Sequence, residues 1–203
     1  TAAVPGGLED IFESRLTEVM TRGFGDDATV LEQSQASAII EHVEGAASVV
    51  LGSGVGRAVT TGDLVREVVA GVRSPLVVDA DALTLIGSDL QPLKSRDGTT
   101  VLTPHDGEAG RLLGRTSSEV AAHRLASARE LAESTGAVVV LKGDDTIVTD
   151  GSRIAVNTLP APALATAGTG DVLAGIVGAF LARGLDGFEA AAAAVLAHAA
   201  AGE

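Results

Sequence analysis

The chain has 203 residues, 46% of them hydrophobic, with a formal net charge of −13, four Phe and no Tyr, Trp or Cys. That length and core content suit one α/β domain and are short for two. The composition excludes aromatic base-stacking platforms, disulfides and thiolate metal sites and argues against a polyanion partner, yet it leaves room for a small anion held by backbone N–H groups.

No uncharged apolar run reaches membrane-spanning length, and the opening "TAAVPGGLEDIFE" lacks the basic and apolar regions of a signal peptide. A soluble cytoplasmic protein with no membrane or nucleic-acid partner is expected. Further along, short Val- and Ile-rich runs alternate with segments of helical period. "ASVVLG", "SPLVVDAD", "TTVLTPH", "AVVVLKG", "TIVTDG" and "RIAVNT" read as strands, the first four with continuous apolar cores that suit burial on both faces. Between them "TTGDLVREVVAGV", "DGEAGRLLG" and "SSEVAAHRLASARELAESTG" read as helices, the last capped by Thr116 or Ser117 with Gly136 just past its end. The final "FEAAAAAVLAHAAAGE" reads as a packed helix. This alternation predicts a mainly parallel sheet with helices on both faces, while "TIVTDGSRIAVN" predicts an antiparallel hairpin turning at Asp150-Gly151. No repeat or linker interrupts it.

Ligands of open α/β sheets bind beyond the carboxyl ends of the strands, so the residues that follow each strand carry the most information. After the first comes "GSGVG", Gly52 to Gly56, a turn that lets the backbone approach a ligand but lacks the dinucleotide spacing G-x-G-x-x-G. It serves equally as a structural strand-to-helix turn. After the second come Asp79 and Asp81, which share one face if the strand continues that far; otherwise one of them caps the next helix. After the third, Pro104 sets a turn from which His105 and Glu108 reach toward a ligand, although a lone His is more often surface or satisfied core. After the fourth, Lys142 in "KGDDT" suits phosphate contact, weakened by Asp144 and Asp145. His42, His123 and His198 lie in helical stretches and rank below His105.

The stretch "ATAGTGDVLAGIVGAFLARG", Ala165 to Gly184, puts a charged Asp171 behind two glycines and before an almost wholly apolar helix. If the helix starts near Gly170, the N–H groups of Thr169, Gly170, Asp171 and Val172 converge where the helix dipole favours an anion. Asp171 at the rim then accepts a proton from a hydroxyl attacking a bound phosphoryl group, with Lys142 or Mg²⁺ offsetting the repulsion. The plainer alternative is a helix cap.

That stretch resembles the signature of the ribokinase-like superfamily. With "GSGVG", "VVDADALTLI", "TPHDGEAGRLLG" and "VVLKGDDTIVTDG" in this order, the chain resembles the NAD(P)H-hydrate dehydratases from about Ala47 onward. The resemblance implies a ribokinase-like α/β fold, a homo-oligomer, and a lyase that restores NADHX or NADPHX to NADH or NADPH while cleaving ADP to AMP and phosphate, or using ATP with Mg²⁺. It assigns the nucleotide to Lys142, Gly143, Asp144, Asp145 and Thr146 and to Ala165, Thr166, Ala167, Gly168, Thr169 and Gly170. The last three would hold the transferred phosphoryl group. The hydrated nicotinamide falls to Gly54, Gly56, Asp79, His105, Glu108 and Asp171, with Asp171 activating its ring hydroxyl. No metal ligands are assigned. Relative to the family pattern the chain carries Thr84 for the usual Asn, Asp106 for Pro and Ser53 for the Pro of G-P-G-L-G, and it is expected to be shorter at both ends. A vitamin-precursor kinase of the same superfamily and a nucleotide-binding module without turnover are the alternatives.

Overall fold

Strands with apolar residues at successive positions need cover on both faces, and here they receive it. The computed structural model describes all residues from Thr1 to Glu203. It begins with β1 (Ala2–Pro5), α1 (Glu9–Arg15), β2 (Thr21–Phe24) and α2 (Ala36–His42). The βα units follow: β3 (Val49–Leu51), α3 (Val59–Gly71), β4 (Leu76–Val78), α4 (Ala80–Ile86), α5 (Gln91–Lys94), β5 (Thr100–Leu102), α6 (Asp106–Leu113), α7 (Ser117–Ala122) and α8 (Arg124–Thr135). The chain closes with β6 (Val138–Leu141), β7 (Thr146–Thr149), β8 (Ile154–Asn157), α9 (Thr169–Ala182) and α10 (Gly187–Ala201).

Strands β3 to β8 lie in one sheet in sequence order. The pairs from β3 to β6 are parallel, and β7 and β8 run antiparallel as the hairpin pattern predicts. The hairpin turn is held by Asp150, whose carboxylate accepts the N–H groups of Ser152 at 3.0 Å and Arg153 at 2.7 Å. Alternation along each strand divides the core: Leu76, Val78, Leu102, Val139 and Leu141 pack on the side of α3, α4, α6 and α8, whereas Val77, Val101, Val138 and Val140 pack under α9 and α10. Helices therefore cover both faces.

Two features depart from the sequence reading. The helix expected from Ser117 to Gly136 breaks at His123, with φ −139° and ψ 45°, because α7 packs on α6 while α8 packs on β6 and β7. Its ends are as expected: Thr116 Oγ1 accepts the Glu119 N–H at 3.2 Å, and Gly136 ends α8 in the left-handed region. The second is a parallel pairing of β1 with β2, apart from the main sheet, where "AAVP" and "TRGF" show no strand period. No helix is long and apolar enough to cross a membrane.

Arg96 illustrates how the structure fixes a bare loop. Its guanidinium donates to the carbonyls of Val69, Val72 and Ser74, which pins the turn leading into β4, and burial pushes its pKa down.

Candidate active site

The carboxyl ends of four parallel strands converge. Gly52, just after β3, takes φ 138°, and a Cβ there would collide with the Asp79 carbonyl, so the crossing of β3 and β4 itself requires glycine. Asp79 follows β4 and is 1% exposed. Its Oδ1 lies 2.8 Å from Lys142 Nζ, which is also 3.8 Å from Glu108 Oε2. Lys142 thus stands between two buried carboxylates. Asp81 turns elsewhere: it accepts the Gly56 N–H at 3.2 Å and the Arg57 Nε at 2.6 Å. Because β4 stops at Val78 and α4 begins at Ala80, the two carboxylates diverge, and Asp79 occupies the N-cap position of α4 without a cap hydrogen bond from its side chain. Between them Ala80 holds φ 49°, in the region that disfavours a side chain.

His105 starts α6. Its Nδ1 accepts the N–H groups of Gly107 at 2.9 Å and Glu108 at 3.2 Å, and Glu108 Oε2 accepts the His105 N–H at 2.9 Å, forming a capping box. The ring is half exposed, with its Nε2 3.4 Å from Glu108 Oε1.

At the start of α9, Gly168 adopts φ 92° and serves as the N-cap. The converging amides are fewer than expected. Val172 N–H donates to the Gly168 carbonyl at 3.3 Å and Thr169 N–H points at Thr166 O, 3.5 Å away, which leaves Gly170 and Asp171 N–H without protein acceptors. The Thr169 hydroxyl lies 2.8 Å from Leu164 O and 2.9 Å from Thr166 O, so it pins its own loop. Asp171 is exposed at the third helical position, and its only hydrogen-bond partner is the Ser53 hydroxyl, donating at 2.7 Å. The carboxylate is no cap. A Cβ on Gly170 would lie 3.5 Å from Lys142 Nζ, so the cation and the open amides adjoin.

A cavity of about 520 Å³ opens here, lined by Lys142, Gly143, Asp144, Thr146, Ala165, Thr169 and Gly170. The segment Leu159–Pro162 and the α10 residues Val195 and His198 close its other side. Asp145, Thr166, Ala167 and Gly168 stay outside its wall. Asp171, bonded to Ser53, also lies outside the wall, and Gly54, Gly56, Asp79, His105 and Glu108 belong to the adjoining strand ends, which Lys142 links to the cavity.

Three residues escape the sequence reading. Ser53 occupies a position where proline would offer no donor, and its bond to Asp171 crosses from β3 to α9. Arg124 is set at the first position of α8 by the break at His123 and reaches Asp106 and the loop after β6. His198 lies among alanines of helical spacing, yet it is buried beside the cavity with Nε2 unpartnered. Burial pushes its pKa down, opposed by a backbone hydrogen bond to Thr169.

A model of the NAD(P)H-hydrate dehydratase family matches residues 10–203. The chain belongs to that family. It is 38% identical over 206 residues to the bifunctional NAD(P)H-hydrate repair enzyme of Moorella thermoacetica, covering 100% of this chain and 39% of that one. It is 43% identical over 155 residues to the ADP-dependent (S)-NAD(P)H-hydrate dehydratase of Neisseria meningitidis, covering 75% and 52%. The chain therefore spans about half or less of the length of these curated relatives. The ADP/ATP-dependent NAD(P)H-hydrate dehydratase of Bacillus subtilis, co-crystallised with ATP and Mg²⁺, superposes with a TM-score of 0.74 at 26% identity, covering 97% of this chain and 66% of that one. The ribokinase-like α/β architecture expected from the sequence is thereby established.

Proposed function

We propose that this member of the NAD(P)H-hydrate dehydratase family converts NADHX or NADPHX to NADH or NADPH with cleavage of ADP to AMP and phosphate. One observation carries the reading: the exposed Asp171 carboxylate stands at a helix start whose Gly170 and Asp171 amides are open, beside the Lys142 ammonium. An anion site and a proton acceptor at its rim are the two parts that phosphoryl transfer to a hydroxyl needs.

The proposed order of bonds follows from that placement. Lys142 and the Gly170 amide hold the terminal phosphoryl group of the nucleotide. Asp171 takes the proton of the ring hydroxyl, whose oxygen bonds to phosphorus as the bond to AMP breaks. Phosphate is a better leaving group than hydroxide, so the lone pair of the ring nitrogen expels it. Loss of a proton from the neighbouring ring carbon then restores the double bond.

Gly54, Gly56, Asp79, His105 and Glu108 are proposed to face the hydrate, and Gly143, Asp144, Thr146 and Ala165 the nucleotide. Asp145, Thr166, Ala167 and Gly168 then act through the loops they shape. The chain presents no cluster of three or more ligating side chains, which fits a Mg²⁺ carried by the nucleotide phosphates with its own waters. Such an ion would neutralise the repulsion between Asp171 and the phosphates. A cytoplasmic location and a homo-oligomer complete the proposal.

Incubation of the 203-residue chain with NADHX, ADP and Mg²⁺ tests it. Reduced nicotinamide and AMP are expected in equal amounts. Absence of reduced nicotinamide there, with phosphorylation of a vitamin-precursor alcohol when that alcohol and ATP are supplied, would place the chain with the vitamin-precursor kinases instead.

A further inference from the structure

The loop between β6 and β7 has its carbonyls and its amides sorted to different partners. The Arg124 guanidinium donates from Nη2 to the carbonyls of Leu141 at 3.0 Å, Lys142 at 3.3 Å and Asp145 at 3.2 Å. From Nη1 it donates to Lys142 O at 3.3 Å and to the Asp106 carboxylate. The N–H groups of Gly143, Asp144 and Asp145, by contrast, donate to no protein acceptor. Gly143 and Asp144 line the 520 Å³ cavity. Successive free amides facing a cavity form the kind of concavity that binds anions.

Gly143 records the closeness of the arginine. A Cβ there would stand 2.6 to 2.8 Å from three guanidinium atoms, so a side chain at this position would displace the guanidinium from the loop. Arg96 grips three carbonyls in the same manner at another loop, and neither it nor those carbonyl-bearing residues line the cavity. The chemistry is shared; only Arg124 adjoins the cavity.

We propose that Arg124 is a positioning residue for the nucleotide: by drawing the loop carbonyls to one side, it presents the Gly143 and Asp144 amides to the phosphates. Asp106, where the family usually carries proline, holds the guanidinium from the far side. The inference rests on the nucleotide reading of the cavity. It also accounts for a phosphate site beside Asp144 and Asp145, since the arginine charge lies directly behind that loop.

The test is ADP affinity measured calorimetrically on the whole chain, with affinity for the hydrate in parallel. Arg124→Ala is expected to weaken ADP about tenfold or more, the worth of one charge-assisted hydrogen bond, and to change hydrate affinity by less than about threefold. Arg124→Lys should not rescue it, because a single ammonium lacks the planar fork that spans three carbonyls. Arg96→Ala serves as the control, lowering thermal stability while leaving ADP affinity unchanged. ADP affinity within about twofold of wild type in folded Arg124→Ala overturns the proposal, as does equal weakening of both ligands or an equal loss in Arg96→Ala. Should Arg124→Ala fail to fold, Arg124→Lys and Asp106→Asn decide by the same selectivity for ADP. A wild-type chain that binds no ADP refutes the nucleotide reading itself.

Discussion

Asp171→Asn is expected to yield a folded protein that binds nucleotide and barely turns over. The side chain is exposed, caps no backbone group and has one partner, the Ser53 hydroxyl, whose bond an asparagine oxygen also accepts. The fold should lose little beyond the favourable meeting of a carboxylate with the helix dipole, about 0.3–1 kcal/mol. Removing the proton acceptor costs far more in rate, on the order of 10² to 10⁴ in kcat. ADP affinity should persist or rise, because the carboxylate repels the phosphates it faces. Circular dichroism, ADP titration and single-turnover kinetics check these outcomes together. A variant that keeps more than about a tenth of wild-type kcat is too active for a lost general base.

Lys142→Ala is expected to fail in two separable ways. It strips the cation from Asp79 and Glu108, both buried, and breaking a buried ion pair from one side costs up to about 3–5 kcal/mol. Partial exposure of the lysine puts the loss toward the lower end. It also removes the ammonium beside Gly170, which should weaken ADP by roughly ten- to a hundredfold, the range of a charge-assisted hydrogen bond. The double variant Lys142→Ala with Asp79→Asn separates the two: its melting temperature should recover while nucleotide binding does not. Unchanged donor KM in the single variant would remove Lys142 from the nucleotide site.

Much of this architecture is legible in the residues themselves. Runs such as "PLVV" and "AVVVL" suit strands buried on both faces, and the residues placed after them do gather at one end of the sheet. Glycines that mark turns are equally readable, because Gly52 and Gly168 sit at φ values few side chains tolerate. What pattern cannot convey is the partner of each polar atom. Asp79 and Asp81 are two residues apart and diverge, one to Lys142 and one to Gly56, because the helix begins between them. His105 stands out in sequence as an isolated imidazole, but its Nδ1 is occupied as a helix cap; His198, which reads as one more helical residue, is the imidazole whose Nε2 is left unpartnered beside the cavity. Arg124 gives no signal at all before the chain folds, since its four partners become neighbours only when α8 docks on β6.

In the proposed reaction the hydroxyl of the hydrated ring attacks the phosphoryl group and departs with it. Hydrate carrying heavy oxygen in that hydroxyl, turned over with ADP, tests this most directly by mass spectrometry of the released phosphate. The label is expected in phosphate, one atom for each reduced nicotinamide formed. Label recovered in water, with phosphate unlabelled, would contradict it, because the nucleotide would then be hydrolysed apart from the dehydration and Asp171 would have no hydroxyl to activate.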